Sequence, residues 1–157
     1  MVLAASYAMI YGVYVALGTS MSNILNPFGY SPTDISILGG CCLLAGVVAA
    51  LIVGVYLDYT AQYRKTHITL STLTLLSAMA IILVLIFFKG NLIALLIPIV
   101  FCGIANVSFF PTGLSYGAEL TFPLQPALVN ASMNFMGQMT AFIMVGLSTL
   151  ITDVDAT

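Results

Sequence analysis

The sequence predicts an all-α membrane protein with five spanning helices, and three observations carry that expectation. Of its 157 residues, 61% are apolar and 5% charged, where an ordinary soluble domain has about 25% charged. The few Asp, Glu, Lys and Arg residues break the chain into apolar runs, each near the roughly 20 residues that a helix needs to cross a bilayer. Between the runs lie NPFGYSP (26–32), YTAQYRK (59–65), KGN (89–91) and TFPLQP (121–126), which hold the turn and breaker residues that helices avoid.

Taken in order, the predicted spans are about 2–25, 32–57, 66–88, 91–118 and 127–151. The first enters its apolar run at once, with no Lys or Arg before it. No positive n-region or small-residue cleavage site marks a signal peptide, so the expectation is a longer protein trimmed at both ends; a genuine five-helix protein is the other reading. The second span has a marked start: in Ser31-Pro32-Thr33-Asp34, proline suits the first turn and the acid suits the positive end of the helix dipole. The third follows the basic pair Arg64 and Lys65, and the fourth contains Pro98 and Pro111, which remove backbone hydrogen bonds and bend helices. The fifth carries Asn130, Asn134 and Gln138 at intervals of four residues, placing three amides on one face of an otherwise apolar span.

Several function classes find no support. The Cys41, Cys42 and Cys102 spacing fits neither a zinc site nor a disulfide framework, and they read as small packing residues. His67, with no second ligand, reads as an interfacial residue rather than a metal ligand. The sequons at Asn106 and Asn130 lie within spans, where no sugar can be attached. No motif for hydrolysis, phosphate cradling or dinucleotide binding is present, and a net charge of −2 offers nothing to nucleic acid. The expectation is a protein that is not an enzyme and has no cofactor or metal.

Because cytoplasmic loops carry the Lys and Arg excess, Arg64 and Lys65 place the second connection inside, with Lys89 the one positive residue on the opposite side. Counting back from Asp58 in fours gives Gly54, Ala50, Gly46 and Cys42, a small-residue stripe that lets helices approach closely in lipid. Asp58 ends this stripe at the cytoplasmic surface. It reads either as an interfacial cap beside orienting positive charges or as a latch on the start of the fifth helix. Gly54, Asp58, Arg64 and Lys65 also resemble the Gly-x-x-x-Asp and basic-loop pattern of major facilitator superfamily transporters, without the basic residue right after Asp or the later Gly.

GVYLDYTAQYRKT (54–66) together with PTGLSYGAELTFP (111–123) resembles the C-terminal half of the feline leukaemia virus subgroup C receptor family, a branch of that superfamily. In it, Leu57-Asp58-Tyr59-Thr60 corresponds to the close of the eighth helix and Glu119-Leu120-Thr121-Phe122-Pro123 to the close of the tenth. The resemblance covers nearly the whole chain and implies that the five spans are helices 7 to 11 of twelve. It implies transport of choline, ethanolamine or haem, with an aromatic cage for a quaternary ammonium and glutamines on the substrate's polar end. The eleventh-helix glutamine falls at Gln138, and the seventh-helix cage tyrosine at Val15 or, with a one-residue shift, at Tyr14.

The residues bear on such a site apart from the family. Facing lipid, Asn130, Asn134 and Gln138 would be costly, so they either bond across helices or line a watery cavity. Tyr7, Tyr11 and Tyr14 share a face of the first span and serve either packing or a cation site, since a desolvated cation over such faces gains about 2 kcal/mol or more. Tyr14 and Gln138 both fall near mid-span, where repeat-built transporters hold substrate. No acid lies mid-span, which favours facilitated over proton-driven transport. Glu119, near the cytoplasmic end, joins Asp58, Gly54, Arg64 and Lys65 as a candidate gate residue. The expected function is therefore a fragment of a plasma-membrane transporter for a small organic cation, partnered by lipid and by a missing N-terminal half, working by alternating access. The alternative is a small multipass scaffold that oligomerises through the Gly46, Ala50 and Gly54 seam.

Overall fold

The computed structural model describes residues 2–87 and 91–155, and shows five α-helices: α1 (Val2–Leu25), α2 (Pro32–Thr60), α3 (Tyr63–Phe87), α4 (Leu92–Leu120) and α5 (Pro126–Asp155). Lys89, the lone positive residue of the third connection, lies outside the described residues. The molecule is an all-α membrane protein. Four of the helices, α1 to α4, are long and apolar enough to cross a bilayer, and side chains such as Leu44, Leu51 and Phe142 are 72%, 68% and 79% exposed, which suits acyl chains and not water. The three amides of α5 lower its apolarity relative to the rest.

Local chemistry sets the helix ends. A short 3₁₀ turn, Asn26–Phe28, follows α1 and is closed by Gly29 at φ 87°, a left-handed conformation that glycine adopts without a Cβ penalty. At the start of α2, the Ser31 hydroxyl accepts from the Asp34 N–H at 3.2 Å, and the Asp34 carboxylate accepts from the Ser31 N–H at 3.1 Å. This reciprocal pair satisfies two of the orphan donors at a helix start. The predicted end of this helix at residue 57 is too early. It runs on to Thr60, whose hydroxyl donates to the Tyr56 carbonyl, and ends where Ala61 turns left-handed at φ 51° and donates to Leu57 O at 2.8 Å.

The connection to α3 is consequently only two residues long. Arg64 and Lys65 are not in a loop, as their position in YTAQYRK suggested, but in the first turn of α3. His67, near the start of α3, is 6% exposed and lies against the Phe109 ring with centroids 4.4 Å apart. Pro98 and Pro111 both sit inside a single continuous α4. All three cysteines are free thiols, and among the described residues no cluster of His, Cys, Asp and Glu has the makings of a metal site.

The chain divides into two units, one of Met1–Asn23 with Gly113–Thr157 and one of Ile24–Thr112. In the second unit, α2 and α4 run parallel. Gly103 packs against the Cys42 carbonyl and thiol, and Gly46 packs against Val107 and the Gly103 carbonyl; Tyr30 reaches the Asn91 carbonyl with the same separation of 61 residues. A constant difference between contacting positions means that both indices rise together along the seam. Antiparallel to them lies α3, where Ser77 meets the Cys102 thiol and His67 meets Phe109. The small-residue stripe of α2 is thus consumed inside the chain at Cys42 and Gly46, while a Cβ added at Gly54 would meet nothing within 4 Å.

Candidate substrate site on the α1–α5 seam

The first unit holds the tyrosines and amides that the sequence singled out. The Tyr7 hydroxyl donates to Asn134 Oδ1 at 3.2 Å, and Gln138 Nε2 donates to the Tyr11 hydroxyl. Both pairs are 127 residues apart, and Ser20 meets Ser148 at a separation of 128 with hydroxyls 2.9 Å apart. The steady offset makes α1 and α5 parallel, and residues spaced by four on each helix then face each other as rungs. Tyr7 and Tyr11 are stacked, with centroids 6.1 Å apart and planes at 23°.

Two glycines bring the helices this close. A Cβ at Gly137 would lie 3.2 Å from the Tyr11 ring, and one at Gly12 would lie 2.8 Å from Thr140 Cγ2 and 3.1 Å from its carbonyl carbon. Neither glycine was singled out by sequence reasoning. Their signal was available only as small residues beside an aromatic row, which has no meaning until the partner helix is known.

The rungs differ in burial. Tyr7 is 1% exposed, Tyr11, Tyr14 and Val15 are half-buried, and Asn134 and Gln138 are exposed. Asn130 continues the amide row, and its Oδ1 is buried with no hydrogen-bond partner among the described residues. The wall is electrically neutral: α1 has no Asp, Glu, Lys, Arg or His, and α5 has none before Asp153. It presents hydroxyls, amide donors and acceptors, and aromatic faces, a chemistry that suits a polar or cationic organic molecule.

The candidate gate residues lie at helix ends. Asp58 is in the last turn of α2, Arg64 and Lys65 are in the first turn of α3, and Glu119 closes α4; these four and Gly54 are exposed. Each charge sits at the end of its own helix that the dipole disfavours, an effect worth about 0.3–1 kcal/mol before screening. Helix capping therefore does not account for them.

Comparison with known proteins gives the following. No family model matches the chain. It is 21% identical over 145 residues to the mouse choline/ethanolamine transporter FLVCR1, covering 87% of the chain and 24% of that protein. Against the human choline/ethanolamine transporter FLVCR2 it is 23% identical over 143 residues, or 90% of the chain and 27% of the relative. With solute carrier family 49 member A3 of Xenopus tropicalis it shares 25% identity over 113 residues, covering 72% and 23%. The chain thus spans about a quarter of the length of the curated relatives it matches. Over most of its own length, the chain is similar to part of these choline/ethanolamine transporters.

Proposed function

We propose that this chain is part of a facilitative transporter that moves a small organic cation, such as choline or ethanolamine, across the plasma membrane by alternating access. Its five helices then act as the seventh to eleventh of twelve, completed by an N-terminal half. The observation that carries this reading is the Tyr11–Gln138 rung: a neutral phenol and amide joined across two parallel spans, with Gln138 exposed. The Gln138 amide nitrogen is the donor in that bond, which leaves its carbonyl oxygen as an acceptor for a ligand. A substrate hydroxyl or primary ammonium matches that acceptor, because each can donate to a carbonyl oxygen. Tyr14 and the Tyr7–Asn134 rung supply further aromatic and amide surface, and Asn130 extends it.

Asp58, Gly54, Arg64, Lys65 and Glu119 act in this reading as gate residues, whose charges find partners in one transport state and lose them in another. Their placement against their own helix dipoles supports that role, because such charges gain from contacts beyond their own helix.

The experiment is uptake by the full-length protein against a panel of choline, ethanolamine and haem, with Gln138→Ala and Tyr11→Phe compared with the parent at matched surface expression. The expected result is weakened choline or ethanolamine uptake in both variants. Parent-like kinetics in both would remove the seam from the substrate path.

A further inference from the structure

Away from the α1–α5 seam, two polar atoms inside the α2–α3–α4 unit stand out. Asn106 on α4 is 2% exposed. Its amide nitrogen donates to the Cys102 carbonyl at 2.9 Å and to the Cys102 thiol at 3.3 Å, which fixes the orientation of the amide and leaves Oδ1 buried without a partner among the described residues. Thr74 on α3 is the second. In apolar surroundings a hydroxyl ordinarily bonds back to a carbonyl of its own helix, and Thr66, Thr69, Ser71, Thr72 and Ser77 of α3 all do so. Thr74 does not, and its Oγ1 is buried with no partner among the described residues.

The register places these two residues at one level. The antiparallel α3–α4 seam is fixed by Ser77 at Cys102 and by His67 at Phe109. Thr74 lies one turn from Ser77, and Asn106 one turn from Cys102, both toward the His67–Phe109 end. Thr74 and Asn106 therefore occupy one level on facing helices, and α2 closes the third side where Cys42 meets Gly103.

We propose that one water molecule is bound between Thr74 and Asn106 and joins α3 to α4. The Thr74 O–H donates to the water oxygen, and the water donates to Asn106 Oδ1. That gives the two polar partners a buried water needs, and spares two unsatisfied atoms inside lipid, where each is costly. A monovalent cation does not fit the same atoms, because the junction offers two neutral side-chain oxygens and no carboxylate. The joint falls in the stretch of α4 between Pro98 and Pro111, so the bound water holds α3 against the segment of α4 whose backbone bonding is already interrupted.

The test uses the full-length protein in nanodiscs with Thr74→Val, Asn106→Leu, the double variant, and Thr74→Ser as the control that keeps the hydroxyl. Each single apolar replacement strands one partner and should lower Tm by about 2–4 °C. The double variant removes both and should return to near the parent, while Thr74→Ser matches the parent throughout. Radiolytic hydroxyl-radical footprinting then reads the water itself: the Cys102 thiol, 7% exposed and touching Asn106, should be modified several-fold faster in the parent and Thr74→Ser than in the double variant. Additive Tm losses would overturn the proposal. So would coupled Tm losses with unchanged Cys102 labelling, which would assign a direct Thr74–Asn106 bond instead.

Discussion

Replacing Gly46 by alanine tests the packing of α2 on α4 at its tightest point. The new Cβ would sit 2.6 Å from Val107 Cγ2, 2.7 Å from Val107 Cβ and 2.7 Å from the Gly103 carbonyl oxygen. Ordinary contact begins near 3.4 Å, so the helices must separate by roughly 0.7 Å or more. Val107 cannot rotate its Cβ away, and the carbonyl belongs to a helix backbone, so no flexible side chain absorbs the clash. Overpacking of this kind costs about 1–3 kcal/mol, less the roughly 1 kcal/mol that alanine gains over glycine in a helix. Gly54→Ala supplies the internal control, because it adds the same methyl to the same helix where nothing lies within 4 Å. Thermal unfolding of the full-length protein in nanodiscs should show Gly46→Ala below the parent by several °C and Gly54→Ala at or slightly above it. Equal Tm values for the two variants would refute the α2–α4 register on which the packing rests.

Gly137→Ala should leave Tm nearly unchanged but raise KM for uptake several-fold, because its Cβ would press at 3.2 Å on a Tyr11 ring that can shift away from Gln138; parent-like KM would separate the rung from binding. Ser20→Ala and Ser148→Ala should show a coupling of about 0.6 kcal/mol in a double-mutant cycle, and zero coupling would break the parallel α1–α5 alignment near residues 20 and 148. Asp58→Asn should change cysteine accessibility on the two sides of the membrane more than it changes substrate affinity, and identical accessibility would return Asp58 to a helix-end residue. Tyr7→Phe should lower stability by about 0.6–1.7 kcal/mol through loss of its bond to Asn134, with uptake by the surviving protein reduced less than in Gln138→Ala.

Much of this protein is legible in its sequence because lipid is an exacting solvent. A span must be long, apolar and hydrogen-bonded within itself, so the number of helices follows from counting, and the start of α2 follows from Ser31 and Asp34. The amide row of α5 was equally visible, since three amides at a four-residue interval in a span require polar company. What sequence left open was the partner. Asn134 and Gln138 bonding to Tyr7 and Tyr11, Gly12 and Gly137 setting the approach, and the small stripe of α2 closing on α4 at Gly46 but not at Gly54 all depend on which faces meet and in what register. The cover over His67 was hidden for the same reason: nothing in a lone ring at a helix start names Phe109 as its neighbour. Composition and periodicity are properties of one helix at a time, whereas register is a property of two, and only the packed structure decides it.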